Sequence, residues 1–156
     1  MNRLLRSAIA SLLVLLPVAA HAADDPFMGT WRLDKAKSSI GKDPGVKNKV
    51  IVFSPGPGGG AIVENLEMAS GQKQTTRLTF VYGELAPQTE AGLDAFAVVK
   101  ASDTREFWVA QLKGKVVALL QVDVSADGKE MTFRYLATVA DPTGKVMSDR
   151  YVYDRQ

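Results

Sequence analysis

The chain has 156 residues, with 19 Lys and Arg against 17 Asp and Glu, one His and no Cys. That length sets one domain, and the absence of Cys excludes disulfides, thiol nucleophiles and thiolate metal sites. A hydrophobic fraction of 46% excludes a disordered polar chain and supplies a core.

Residues 1–22 read as a secretory signal peptide. Arg3 and Arg6 form a basic start, the stretch from Ala8 to Ala20 is apolar apart from Ser11, and Ala20-His21-Ala22 gives a small-residue cleavage site. The apolar run is short for a spanning helix, which needs about 20 residues, and Asp24-Asp25 follows it instead of a basic stop. The sequence therefore predicts an exported protein, periplasmic or secreted, whose folded domain covers residues 23–156, with no stable membrane insertion after cleavage. Arg3, Arg6 and His21, the sole histidine, leave with the signal, so the 19 basic residues become 17 and match the 17 acids. A neutral domain without a basic stripe excludes nucleic acid as a partner.

The folded part opens on Asp25-Pro26-Phe27-Met28-Gly29-Thr30-Trp31. Beyond Trp31 the period of the apolar pattern is two. Val50 to Phe53 is a short apolar run, and Ile62, Leu66 and Met68 share a face that Glu64 interrupts. Leu78, Phe80 and Tyr82 alternate with Arg77, Thr79 and Val81. Phe96 to Lys100, Arg105 to Leu112 and Val116 to Val124 are further strands. Met131, Phe133, Tyr135, Ala137 and Val139 then share a face, and Val146 to Tyr153 closes the series. Lys113-Gly114, Ser125 to Gly128 and Asp141 to Gly144 carry hairpin-turn chemistry, and Ser102-Asp103 marks another turn. Pro55 to Gly60 lacks the Lys-Ser/Thr and following helix of a phosphate loop and reads as a hairpin tip. Ala36 to Ile40 has room for one helical turn, and Leu85 to Asp94 is the long irregular connection, placed as a lid. Counting the Trp31 strand gives about nine, and hairpins at this spacing predict an all-β, antiparallel up-and-down barrel of about eight to nine strands, closed so that no edge is left free.

The Asp25–Trp31 segment, Leu33, Ala36-Lys37-Ser38, the Ser125–Lys129 hairpin and Val152-Tyr153-Asp154-Arg155-Gln156 together resemble the lipocalin-like (calycin) superfamily, in particular small secreted bacterial lipocalin-like proteins of unassigned function. The resemblance spans the folded part and is specific only at its two ends. It implies that Gly29 and Trp31 plug the closed end of the barrel, with Trp31 stacked on an Arg of the last strand. Arg150 and Arg155 are the two possible partners. The pattern departs from typical lipocalins in lacking a C-terminal helix and a clear middle motif.

Without His or Cys in the folded part, a Ser-His-Asp triad, a Cys-His pair and the usual zinc sites are excluded. Neither a metal nor a cofactor is expected. Glu64 and Glu106 could serve as buried acid–base groups because each shares a face with apolar neighbours, although an irregular pleat that turns them to solvent is the commoner arrangement. The lysines 35, 37, 42, 47 and 49 read as a solvated edge. The side chains of Phe80, Tyr82, Phe96, Trp108, Leu120, Phe133 and Tyr135, with Leu66 and Leu78, are expected to point inward. They either line a cavity for one small ligand or pack the core outright. The leading expectation is non-catalytic binding of a small, mostly apolar molecule in the barrel mouth. The alternatives are a filled barrel acting as a structural or protein-interaction envelope module of inhibitor type, and, third, a carboxylate-based hydrolase or isomerase.

Overall fold

The computed structural model describes residues 25–40, 45–89, 92–138 and 149–156. Residues 1–22, read from the sequence as a signal, the turn expected at 141–144 and the centre of the 85–94 connection lie outside the described residues. The architecture is all-β: β1 (Gly29–Leu33), β2 (Val46–Gly56), β3 (Gly59–Met68), β4 (Lys73–Val81), β5 (Ala86–Pro87), β6 (Ala95–Ser102), β7 (Arg105–Leu112), β8 (Lys115–Val124), β9 (Glu130–Thr138) and β10 (Arg150–Arg155). They form one antiparallel sheet in the order β4-β3-β2-β1-β10-β9-β8-β7-β6-β5. The tenth strand is the two-residue β5, too short to leave an alternation signal in the 85–94 connection.

The sheet curls into a barrel. β1 pairs with β2 on one side and with β10 on the other, which seats the two ends of the folded domain side by side. The seam between β4 and β6 is held more sparsely. Tyr82 and Val98 form an isolated bridge, the Gly83 N–H donates to the Val98 carbonyl at 2.8 Å, and the Gln88 carboxamide serves both backbone groups of Thr79. A single side-chain amide thus satisfies edge groups that a neighbouring strand would otherwise take.

Alternation sorts the side chains into two faces. Trp31, Leu33, Ile51, Phe53, Ile62, Phe80, Phe96, Val98, Trp108, Leu120, Val122, Met131, Phe133 and Tyr153 belong to one buried cluster in the interior. The sharp turns sit where the sequence carries the residues they need. Lys113 and Gly114 both have positive φ, at 52° and 69°, as a two-residue hairpin of the primed type requires.

The β2–β3 hairpin shows why its tip is glycine-rich. At Gly59 an added Cβ would collide with the Phe80 carbonyl oxygen and the Val81 backbone, because β3 and β4 cross there at very close range. Gly59→Ala should therefore lower stability by about 1–3 kcal/mol through overpacking, measurable as a lower urea midpoint. An unchanged midpoint would contradict the close approach.

Candidate binding site in the barrel interior

At the end where β1 begins, the chain folds over the opening. The Phe27 N–H donates to Asp25 Oδ1 at 3.1 Å, and Trp31 Nε1 donates to the Phe27 carbonyl at 2.8 Å. Arg155, the cross-strand partner of Trp31, lays its guanidinium 4.2 Å from the centre of a Trp31 ring. The same guanidinium donates to the carbonyls of Pro26, Met28 and Gly128, with the Met28 bond at 2.8 Å. Gly29 has a φ of +118°, and a Cβ there would sit 3.0 Å from Arg155 Nη1. Arg150 is elsewhere: it reaches the Lys37 carbonyl at 3.2 Å and Glu130 at 3.9 Å on the outer face. The parity of β10 explains the difference, since an odd separation of five residues puts the two arginines on opposite faces. An open cleft of about 690 Å³ lies outside this end, lined in part by Asp25, Asp127, Lys129 and Arg155.

Beside the plug, Glu106 is buried with 1% of its surface exposed. Trp108 Nε1 donates to its Oε2 at 2.8 Å, and the Tyr82 hydroxyl lies 3.0 Å from its Oε1 and 2.8 Å from Asp25 Oδ2. Lys100 pairs with the same Asp25 oxygen at 3.0 Å. Burial pushes the Glu106 carboxyl up to about 7, against the hydrogen bonds from Trp108 and Tyr82 that favour the anion, with the charge of Asp25 adding to the rise. Burial also works against the charge of Asp25, but hydrogen bonds from Lys100, the Phe27 N–H and Tyr82 outweigh it and hold that group below its ordinary value. A hydroxyl has one proton to give. Tyr82 can therefore donate to only one of the two carboxylates at a time; when Glu106 carries its proton it can donate to Tyr82, which then donates to the Asp25 carboxylate.

Five of the seven side chains expected inside, Phe80, Phe96, Trp108, Leu120 and Phe133, are buried together. Trp108 is the hub. Its ring centroids lie 5.7 Å from Phe53, 5.4 Å from Phe96 and 5.0 Å from Phe133, and Phe133 continues to Tyr153 at 5.0 Å. These edge-to-face and tilted contacts make a packed floor. Tyr82, also expected in the cavity, instead belongs to the closed-end hydrogen-bond chain, with its ring 5.2 Å from Phe80.

Beyond the floor, towards the end where β1 stops, the lining changes character. Tyr135, the seventh expected residue, packs its ring 6.2 Å from Tyr151. Lys49 and Glu64 both point inward and pair at 2.8 Å, and the Lys49 ammonium lies 5.5 Å from the centre of the Tyr151 ring. Lys49 is thus not part of a solvated edge, and Glu64 is not turned to water by an irregular pleat. The Tyr151 hydroxyl donates to Asp149 at 3.3 Å. Tyr153 is fully buried, and its hydroxyl has no hydrogen-bond partner among the described residues. The sequence reading did not place Lys49, Tyr151 or Tyr153 inside the barrel. The signal that could have found them is strict alternation with known inward residues, Lys49-Ile51-Phe53 on β2 and Tyr151-Tyr153-Arg155 on β10. Leu66, Leu78 and Ala118 are half-buried around this half of the barrel. In the 85–94 connection Leu93 packs on the core, whereas Leu85 is 50% exposed. No group of three or more metal-ligating side chains occurs among the described residues.

No protein-family model matches the sequence, and no curated protein sequence does either. Solved structures do match. A mutant of the fluorescent protein UnaG superposes with a TM-score of 0.59 at 14% identity, over 85% of this chain and 97% of that one. Wild-type UnaG gives 0.54 at 12% identity, over 85% and 98%. A Schistosoma mansoni fatty acid binding protein in complex with arachidonic acid gives 0.56 at 14% identity, over 84% and 96%. At this identity the likeness is one of fold, and it extends over nearly the full length of each neighbour: the chain has the fold of a calycin-type, fatty-acid-binding-protein-like β-barrel.

Proposed function

We propose that this protein is a non-catalytic carrier of a small, mostly apolar molecule, held in the half of the barrel beyond the aromatic floor. The observation that carries the reading is the asymmetry of the interior. One half is sealed by Trp31, Arg155 and the Trp108 hub, while the other is lined by half-buried Leu66, Leu78, Ala118, Tyr135 and Tyr151 around a few polar groups. Apolar walls with a small number of placed polar atoms are the usual make-up of a ligand site. The neighbour crystallised with arachidonic acid has the same fold, which supports the reading. Phe80, Phe96, Trp108, Leu120 and Phe133 then serve as the floor of the site, and Tyr135 as part of its wall.

Catalysis by a buried carboxylate is disfavoured by the surroundings of Glu106. Its raised pKa suits a general acid, but it is sealed at 1% exposure behind Tyr82 and Trp108, with no approach for a substrate. A filled barrel acting through its surface is the second reading, favoured by the ring-to-ring floor. The exposed Leu85 by itself makes no patch of the size a partner surface needs.

The same proposal puts the protein outside the cytoplasm, as one of the small secreted bacterial lipocalin-like proteins, on the strength of the leader pattern in residues 1–22. Protein recovered from the periplasm should begin at Ala23 by intact mass, and a product retaining Met1 would contradict export. Native mass spectrometry of that material, with solvent extraction, should find an apolar small molecule bound one to one. Protein that carries nothing and takes up no offered lipid would favour the filled barrel.

A further inference from the structure

The segment that caps the closed end is anchored through Asp25. Its Oδ1 accepts from the Phe27 N–H at 3.1 Å and its carbonyl from the Met28 N–H at 2.9 Å, so its position sets that of the buried Phe27 ring. The barrel wall grips Asp25 Oδ2 through the Tyr82 hydroxyl at 2.8 Å and the Lys100 ammonium at 3.0 Å. Both grips are shared with Glu106. Tyr82 lies 3.0 Å from Glu106 Oε1, and Lys100 is the β6 partner of Glu106 across the ladder, where its charge favours the Glu106 anion. Trp108 on the same strand adds a donor, and Val122 opposite on β8 adds an apolar wall without charge. The two carboxylates differ in freedom. Glu106 is fixed within β7 at 1% exposure, whereas Asp25 stands outside any strand with 19% of its side chain exposed. When both are ionised, one hydroxyl proton and one ammonium are divided between two anions, and only Asp25 is placed to turn to water.

We propose that Glu106, Tyr82, Lys100 and Asp25 form a pH-operated latch on the cap: loss of the Glu106 proton draws Tyr82 and Lys100 towards Glu106, frees Asp25, and shifts residues 25–28 towards an open position. The inference is independent of what the barrel carries. Burial, which pushes Glu106 up to about 7, sets the window, and the hydrogen bonds that hold Asp25 below its ordinary value keep it charged throughout that window. An open cap admits water to Glu106, which then holds its proton less tightly. Opening is thus linked to the release of one proton. It is suppressed at low pH, rises by up to about tenfold per unit as pH approaches 7, and levels off above. Arg155 still donates to the carbonyls of Pro26 and Met28, which keeps the opening a local fluctuation and leaves Trp31 in place.

Amide hydrogen exchange of the mature protein, read by NMR from pH 5 to 8 and corrected for the pH dependence of intrinsic exchange, tests the latch at Phe27 and Met28. Protection of these two amides should fall about tenfold or more over that range, and low urea should leave it unchanged, as local opening requires. Glu106→Gln should hold both amides at the protected level throughout. Asp25→Asn keeps the acceptor for the Phe27 N–H, removes the charge that opposes Glu106 without touching the core, and should shrink the fall. Protection that is flat with pH in the wild type would overturn the inference, as would an equal fall in Glu106→Gln or in Asp25→Asn. A fall that follows urea as steeply as the core amides do would assign the exchange to global unfolding and overturn it as well.

Discussion

Trp31→Ala should lower the unfolding free energy by about 3–5 kcal/mol, the range for truncating a large aromatic in a core. Trp31 is wholly buried, and its removal does more than leave a void. The Phe27 carbonyl loses its indole donor, and Arg155 loses the ring on which its guanidinium rests. Arg155 ties Pro26, Met28 and Gly128 together, so the segment capping this end loosens with it. Trp31→Phe keeps much of the apolar volume but not the donor and should fall between the two. Urea unfolding followed by far-UV circular dichroism gives the values. A loss below about 1 kcal/mol for Trp31→Ala would contradict the closed-end account.

The second large effect is on pH dependence. Glu106 has a folded-state pKa of about 7 against 4.5 for the free group. An acid whose pKa rises on folding binds its proton more tightly in the folded state. Its contribution is therefore fully present below pH 4.5 and is lost as pH rises through about 7. At about 1.4 kcal/mol per unit, the loss is on the order of 3 kcal/mol. Glu106→Gln mimics the protonated acid: its oxygen can accept from Trp108, and its amide can donate to Tyr82. The variant should match the wild type near pH 4.5 and exceed its stability by on the order of 3 kcal/mol at pH 8. The described residues include no histidine to titrate in the same window. Parallel stability curves for the two proteins between pH 5 and 8 would show that Glu106 does not hold a raised pKa.

Much of the barrel was legible in the sequence because a two-residue period states directly which side chains share a face. Leu78-Phe80-Tyr82 and Met131-Phe133-Tyr135 fall on the inner face, and Lys113-Gly114 and Gly128 turn with positive φ where hairpins were expected. What parity does not carry is height along the barrel. Tyr82 and Tyr135 both point inward, yet one ends at the closed end beside Asp25 and the other in the far half beside Tyr151. Height depends on the stagger between strands, which bulges adjust, such as the one opposite Leu119 and Leu120 that leaves Leu136 without a ladder partner. The Lys49–Glu64 pair was hidden for a related reason. Lys49 looks like a surface charge on its own strand and Glu64 shares a face with Ile62 and Leu66, but only the β2–β3 register brings the two together on the inner face. The choice between Arg150 and Arg155 was settled by which of them pairs with Trp31 across β1 and β10. The Gln88 bridge to Thr79 joins the two edges of the barrel, a contact between separate strands that no local pattern announces.

The central claim is that a molecule sits above the Trp108 floor, in the half that contains Lys49, Tyr135 and Tyr151. A crystal structure of the mature protein bound to the molecule it co-purifies with, or to hexadecan-1-ol, tests it most directly. The account predicts density for an apolar chain between the floor and the Lys49–Glu64 pair. A molecule seated instead in the outer cleft beside Arg155, or an interior closed by side chains from end to end, would contradict it.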